Sequence, residues 1–101
     1  MRSMKVFISG KVTGIPRDET LRKFEKAKML LLQNTFDYIN PMEVVPEDAS
    51  NSEAMRILLP MVCECDALLL LSDSKFSEGS KIEEMTARYC GKQIFMEDDL
   101  I

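Results

Sequence analysis

The chain has 101 residues, of which 46% are hydrophobic and 30% are charged, so its length and composition predict one soluble globular domain spanning residues 1–101. The formal net charge is −4 and the pI is near 4.8, which argues against binding to polymeric nucleic acid but allows a local site for a small anion. The three cysteines are odd in number and the sequence has no histidine, so we expect reduced intracellular thiols and neither a disulfide framework nor a metal site.

The N-terminal residues run directly into a strand pattern, without the separate apolar core of a signal peptide. No apolar run approaches the roughly 20 residues that a membrane-spanning helix needs. We therefore expect a cytoplasmic protein with no membrane partner.

The first part of the chain predicts a strand, a helix and a second strand. A short β-rich run at 4–9 leads into a loop that contains two glycines and a proline. Apolar residues at helical spacing then predict a helix that starts at Asp18, as its N-cap, and reaches about Gln33. A second strand is expected at 36–40, where the proline that follows ends it before a loop.

The middle of the chain predicts another helix and a buried strand. Ser50 and Glu53 fit a capping box that opens the helix, and Pro60 predicts a kink or a restart within it. The continuous apolar run 67–71 predicts a strand that is covered on both faces. Asp66 stands at the entrance of this strand, where an aspartate usually accepts hydrogen bonds from backbone amides.

The last part of the chain predicts a third helix over roughly 80–90, with an apolar stripe at Ile82, Met85 and Tyr89, and a fourth strand at 93–96. The alternation of strands and helices predicts an α/β fold, in which a parallel sheet of four to five strands lies between two layers of helices. Ligands of such sheets bind beyond the carboxyl ends of the strands, near the switch point of the strand order. Three segments are expected to meet there: 9–14, 40–44 and 72–83.

The segment SEGSKIEE, residues 77–84, has two interpretations. Gly79 permits close approach of the backbone, Ser77 and Ser80 offer hydroxyl groups, and a helix N-terminus favours an anion such as a phosphate or a carboxylate. Glu83 would then lie one turn into the helix, close to whatever that anion anchors. Ser80 and Glu83 also have the spacing of a capping box, in which the glutamate would bind the Ser80 amide. The spacing alone favours the cap, and periodicity does not separate the two interpretations.

The loop after the first strand begins Ser9-Gly10-Lys11 and has neither a dinucleotide-binding pattern nor a P-loop pattern. It is predicted mainly as a turn that needs flexible residues. The alternative is the floor of a ligand site, with Lys11 as the partner of an anion. Asp73 and Glu78 are further acids near the predicted site.

Several segments together resemble the nucleoside 2-deoxyribosyltransferase-like superfamily, and in particular its short branch of unknown function: KVFISGKVTG, NPMEVVPEDA, ECDALLLL, and S-x-G-x-x-x-E before a helix that ends in GKQI. The resemblance spans nearly the whole chain. It implies a flavodoxin-like or Rossmann-like three-layer sandwich and a site for a nucleoside or a nucleoside 5′-monophosphate. It also implies a homo-oligomer that needs neither a cofactor nor a metal.

By position, Glu83 matches the glutamate that enzymes of this superfamily use as the nucleophile at C1′ of deoxyribose, while Ser77 and Gly79 match residues that hold the 5′-phosphate. The resemblance therefore implies a nucleoside deoxyribosyltransferase or a deoxynucleotide N-hydrolase with Glu83 as its catalytic residue. The expected substrate-binding residues are Ser9, Gly10, Lys11, Ser77, Gly79 and Ser80.

This sequence departs from the superfamily pattern at two positions. Leu58 occupies the helix position of an expected aspartate, and Phe7 occupies the position of an expected tyrosine on the first strand. The alternative to an enzyme is a catalytically silent nucleotide-binding or interaction module with the same fold.

Overall fold

The computed structural model describes residues 3–101 and contains a sheet of four strands. They are β1 (Lys5–Ser9), β2 (Asp37–Ile39), β3 (Ala67–Leu70) and β4 (Gln93–Met96). All neighbouring strands pair in parallel, in the spatial order β2-β1-β3-β4. Parallel neighbours need crossover connections, which the helices between the strands supply. The predicted α/β class with a parallel sheet is confirmed.

Four α-helices connect the strands: α1 (Arg17–Gln33), α2 (Pro41–Val44), α3 (Asn51–Glu64) and α4 (Glu78–Tyr89). The predicted capping box of α3 is confirmed, because the Glu53 amide donates to Ser50 Oγ and the Ser50 amide donates to Glu53 Oε1. α3 continues through Pro60 as one element, so the restart considered there does not occur. The segment after β2 is also more regular than expected, since it forms α2.

The expected N-cap of α1 is wrong. The cap position is Pro16, which makes no side-chain capping bond, and Asp18 lies in the first turn instead. An acidic residue in that turn still favours the helix through the macrodipole. No helix within residues 3–101 is both long and apolar enough to cross a membrane.

Each face of the sheet has its own apolar core, because side chains alternate along the strands. On one face, Val6 and Ile8 of β1 pack with residues of α1. On the other face, Phe7 packs with side chains of β3, α3 and α4. β3 contributes to both clusters and is buried along its whole length, as predicted. At its entrance the Lys5 amide donates to Asp66 Oδ2 at 2.8 Å, which confirms the expected backbone role of Asp66.

α4 does not pack through its apolar stripe. The side chains of Ile82, Met85 and Tyr89 are 45%, 70% and 93% exposed. The residues of α4 that are buried against the sheet are Ser80, Glu83 and Ala87. The prediction that the apolar stripe faces the core is therefore wrong, because two polar residues occupy the buried face and a hydrophobic pattern assigns polar residues to solvent.

The centre of the sheet is the switch point of the strand order. β1 has β2 on one side and β3 on the other. The chain runs from β1 to β2 on one side and then crosses back to β3 on the other side. The carboxyl ends of β1 and β3, at Ser9 and Leu70, lie side by side in register. A parallel α/β sheet usually binds its ligand beyond such a pair of strand ends.

Candidate functional site

Glu83 and Ser9 form a buried hydrogen bond at the switch point. Ser9 lies two residues after Phe7 and therefore faces the same side of the sheet, where Glu83 projects from the second turn of α4. Ser9 Oγ donates to Glu83 Oε1 at 2.7 Å, and both side chains are buried, with Glu83 only 5% exposed. The other carboxylate oxygen, Oε2, has no hydrogen-bond partner within residues 3–101 and keeps contact with solvent.

The environment of Glu83 changes the acidity of its carboxyl group. Burial raises the pKa of Glu83 to about 7, because the charged form loses solvation, while the hydrogen bond from Ser9 acts in the opposite direction. The Glu83 carboxyl group therefore holds its proton to a higher pH than an ordinary glutamate does. A perturbed carboxyl group at the end of a central strand is typical of functional sites, although structural networks produce such shifts as well.

The capping interpretation of Ser80 and Glu83 is wrong. The N-cap of α4 is Ser77, whose Oγ accepts a hydrogen bond from the Ser80 amide at 3.1 Å. The Glu83 carboxylate binds Ser9 instead of the Ser80 amide. Ser77 and Ser80 are three residues apart, and the sequence pattern indicated Ser80 as the N-cap instead of Ser77.

A pocket of about 560 Å³ opens at the same edge of the sheet. It lies between the loop after β1, the first turns of α3 and the start of α4, and the predicted site residues Lys11, Ser77 and Gly79 line it. The other predicted residues do not line it: Ser9, Gly10, Ser80 and Glu83. Ile82, which precedes Glu83 in the chain, lines the pocket, whereas Glu83 lies on the buried face of α4.

Two helices begin at this pocket. The amides of Glu53 and Ser80 donate to serine side chains, whereas those of the preceding turn residues donate to no partner in the described part of the chain. These free amides belong to Asn51, Ser52, Glu78 and Gly79. Since unpaired amides and the helix dipole favour negative charge, the pocket is suited to an anion on two sides. The carboxylate of Glu78 in the same wall opposes this, while the ammonium group of Lys11 adds to it.

The packing of the fold favours a glycine at position 10 but not at position 79. A Cβ atom on Gly10 would lie 2.7 Å from Leu71 Cδ1, so the packing of the loop against β3 needs a glycine. A Cβ atom on Gly79 would meet Met55 Sδ at 3.6 Å, which is an ordinary contact. The fold itself does not require a glycine at position 79.

The loop after β1 is tied to the body of the protein by a contact that sequence reasoning missed. Asp73 Oδ1 accepts from the Lys11 amide at 3.1 Å, and Asp73 Oδ2 forms an ion pair with Lys23 Nζ at 2.6 Å. Lys23 Nζ also donates to the Lys11 carbonyl oxygen. Asp73, considered above as a free acid near the site, is therefore occupied in holding the loop. No sequence signal links Lys23 with Asp73, because 50 residues separate them.

Ser80 is a further buried polar residue near the site. Its hydroxyl group is fully buried on the face of α4 that carries Glu83, and it has no hydrogen-bond partner among the described residues. Buried hydroxyl groups nearly always have a protein or water partner. Leu58 and Phe7, in contrast, are ordinary members of the apolar core.

A second pocket, of about 580 Å³, lies along β2 and contains Lys5, Tyr38 and several acidic side chains. None of the predicted catalytic and substrate-binding residues lines it, but Asn40, Glu43 and Val44 do, so the segment 40–44 does not line the first pocket with the other two segments as expected. Residues 3–101 hold no group of three or more cysteine, aspartate or glutamate side chains placed to bind a metal ion.

A family model described as a domain of unknown function, DUF4406, matches residues 4–96. The chain belongs to the DUF4406 family. Among solved structures, this DUF4406 chain is similar to the Clostridium botulinum CMP N-glycosidase BcmB, with a TM-score of 0.62 and 18% sequence identity. The similarity covers 91% of this chain and 66% of the other, so the present chain spans slightly less than two thirds of that structure. No curated protein sequence matches the DUF4406 chain.

The likeness to BcmB establishes the fold, which agrees with the flavodoxin-like prediction. The roles assigned above to Glu83, Ser77, Gly79 and the remaining site residues stay predictions.

Proposed function

We propose that this protein binds a nucleoside 5′-monophosphate and cleaves its N-glycosidic bond, by hydrolysis or by deoxyribosyl transfer, with Glu83 as the nucleophile. The observation that carries the proposal is the placement of the Glu83 carboxylate. It lies at the switch point of the sheet, one oxygen is bound by Ser9, and the other is free of the backbone. Membership in DUF4406, a fold shared with a CMP N-glycosidase and the resemblance to the deoxyribosyltransferase-like superfamily support it.

In the proposed reaction Glu83 Oε2 attacks C1′ of the sugar, a C–O bond forms and the C1′–N bond to the base breaks. The base leaves with the bonding electron pair and takes up a proton, and a water molecule or a second base then releases the sugar from the glutamate. Such a reaction passes through an oxocarbenium-like transition state that a nearby carboxylate stabilises. The attacking form is the ionised one, so activity should increase as the pH rises through about 7.

The pocket beside α4 is the proposed binding site of the phosphate end of the nucleotide. Because Glu83 does not line this pocket, the sugar would have to extend from it to reach the Glu83 carboxylate. The volume of the pocket lies in the range of ordinary small-molecule sites. The phosphate would accept hydrogen bonds from the free amides of Glu78 and Gly79, with Lys11 as its counter-charge. The Ser77 hydroxyl already accepts a hydrogen bond from the Ser80 amide and retains its own proton for donation to the phosphate.

The leaving base needs a proton donor, and the usual candidates are missing. Leu58 and Phe7 are apolar, and Asp73 is held in its ion pair with Lys23. Glu78 is an acidic side chain that does line the pocket. Its backbone amide lies at the proposed phosphate end of the pocket, however, so no proton donor for the base is assigned among the described residues.

We further propose that the protein associates with a second copy of itself through the exposed stripe of α4. Ile82, Met85 and Tyr89 recur at the spacing of one helix seam and point away from their own core. An exposed apolar helix face of this kind is typical of an association surface. The stripe begins at Ile82 in the pocket wall, so a second copy would also shield the pocket from water.

The second candidate function is a catalytically silent nucleotide-binding module. The apolar residues at Leu58 and Phe7 favour it, because general acid assistance contributes about 10² to 10⁴ in rate and two polar helpers are absent. Such a module would bind nucleotides at the same pocket and release no base.

The deciding experiment is incubation of the protein with CMP, dCMP and the other nucleoside and deoxynucleoside monophosphates, followed by chromatography for free base. We expect base release by the wild type and none by Glu83→Gln, which keeps the size of the side chain. Equal release by both proteins, or none by the wild type, contradicts the enzymatic proposal. Calorimetry on the same nucleotides separates the alternatives, because binding without turnover supports the silent module.

A further inference from the structure

We propose that Ser9 is a positioning residue for Glu83: its hydroxyl, fixed at the end of β1, holds one oxygen of the carboxylate and directs the other toward the sugar. The inference deepens the proposed function and rests on it. Ser9 was expected to contact the substrate, yet it does not line the pocket and its side chain is fully buried. Glu83 does not line the pocket either, but its Oε2 keeps contact with solvent, so any contact of this pair with the substrate passes through Glu83.

The backbone of Ser9 is immobilised on the β3 side. Its carbonyl oxygen accepts a hydrogen bond from the Leu71 amide at 2.9 Å, and the residue pairs with Leu70 in the sheet register. Gly10, which follows, packs so closely on Leu71 that no side chain fits between them. The strand end cannot shift without disturbing β3, so the hydroxyl group is a preorganised donor.

The chain beyond Ser9 is held as firmly as the strand before it. Asp73 binds the Lys11 amide, and Lys23 bridges Asp73 and the Lys11 carbonyl oxygen. These contacts bind the amide and the carbonyl oxygen of Lys11, which lies two residues after Ser9. A serine that only filled space in the core would not need supports on both sides.

α4 packs against β1, β3, β4, α3 and the short turn Ser74–Phe76. On this face of the sheet the side chains of β1, β3 and α3 form a neutral apolar cluster with Ala87 of α4, and the hydrogen bond that Glu83 accepts comes from Ser9. No charged group in the described chain shifts the pKa of Glu83, which is set by burial and by the Ser9 hydroxyl. Since a donated hydrogen bond stabilises the carboxylate, loss of the hydroxyl must raise that pKa further above its ordinary value.

The substitution Ser9→Ala tests the role. The midpoint of the Glu83 titration should rise by about one pH unit, and kcat at neutral pH should fall about tenfold, because a hydrogen bond to a charged group is lost. KM should stay within about twofold, since Ser9 is not in the pocket wall. Ser9→Thr keeps a hydroxyl group and should restore most of both properties. Ser74→Ala is the matched control, because it removes a different buried serine hydroxyl beyond the end of β3.

The measurement is a pH titration of glutamate side-chain carboxyl carbons by NMR, with the Glu83 signal assigned from Glu83→Gln, beside the pH profile of base release. An upward shift in Ser9→Ala alone, with a matching move of the acid limb of kcat/KM to higher pH, supports the inference. An unshifted Glu83 titration in Ser9→Ala overturns it even when the wild type releases base. Absence of base release by the wild type overturns the proposed function, and with it the catalytic role of Ser9. The NMR titration then still reports whether the two side chains are coupled.

Discussion

Lys23 on α1 and Asp73 beyond β3 form an ion pair of 2.6 Å that joins the two sides of the loop following β1. The same pair holds the amide and the carbonyl oxygen of Lys11, whose side chain lines the candidate pocket. The contact therefore connects a helix on one face of the sheet with a loop that lines the candidate pocket at its carboxyl edge.

Removal of Asp73 should destabilise the protein more than removal of Lys23. Both side chains are about a quarter exposed, so solvent screens the ion pair, which alone contributes only about 1 kcal/mol or less. Asp73→Ala also leaves the Lys11 amide without its acceptor, and the total loss should be about 2 kcal/mol. Asp73→Asn keeps an acceptor and should lose about half of that. Urea unfolding measures the loss of stability in Lys23→Met, Asp73→Asn and Asp73→Ala. Equal losses in all three would contradict the role of Asp73 as the acceptor of the Lys11 amide.

Alanine at the two glycine positions should have opposite effects on stability. Gly10→Ala places a methyl group 2.7 Å from Leu71 Cδ1 and should cost about 1–3 kcal/mol through overpacking. Gly79→Ala meets only an ordinary contact in the first turn of α4 and should be neutral or stabilise by up to about 1 kcal/mol.

The nucleotide-binding proposal adds a second readout for Gly79→Ala. If the backbone at this position contacts a phosphate, calorimetry should show weaker nucleotide binding by a protein that is no less stable. Unchanged affinity in Gly79→Ala would exclude close approach of a ligand to this residue.

Stability should decrease between about pH 4.5 and pH 7 because of Glu83. Its pKa is about 7 in the folded protein, against an ordinary value of 4.5, so the folded state holds the proton longer than the unfolded state does. Stability from this group is therefore complete below pH 4.5 and is lost as the pH rises through 7, by about 3 kcal/mol in total.

Glu83→Gln removes this titration. The variant should match the wild type near pH 5 and exceed it near pH 8 in the free energy of unfolding by about 3 kcal/mol. Urea unfolding at the two pH values makes the comparison, with Glu84→Gln as the control on the partly exposed neighbouring position. If the wild type is instead more stable than Glu83→Gln by the same amount at both pH values, the carboxylate stabilises the fold and the prediction is wrong.

We predict that the exposed stripe of α4 forms the contact surface between two copies of the protein. Met85→Lys introduces a charge at the centre of the stripe and should convert a dimer into a monomer in light scattering at micromolar concentration. Met29→Lys is the matched control, since Met29 of α1 is also a half-exposed methionine on a helix. Dissociation by both substitutions, or a monomeric wild type, would exclude the stripe as the contact surface.

Local patterns were sufficient for those elements whose residues interact with near neighbours. The run from Ala67 to Leu71 indicated a strand buried on both faces, and Ser50 with Glu53 indicated a capping box that the structure contains. Both features depend on residues that are adjacent or three positions apart, which is the range a sequence pattern covers.

The site itself depends on contacts that no local pattern contains. Ser9 and Glu83 are 74 residues apart, and their hydrogen bond overrides the capping box that Ser80 and Glu83 could form. The same bond explains why α4 has its polar residues inside. A helix that must deliver a carboxylate to the centre of a sheet leaves its apolar side chains on the outer face, against the usual rule.

The inverted packing of α4 also has a consequence for dynamics. Its inner face buries one alanine, one serine and one glutamate, whereas α1 buries Phe24, Ala27 and Leu31 together with Thr20. Less apolar surface therefore attaches α4 to the sheet, and its backbone amides should exchange with deuterium sooner than those of α1, through partial opening that leaves the rest of the chain folded. The Glu83 carboxylate is thereby carried by a helix that is attached to the sheet through less apolar surface than α1 is.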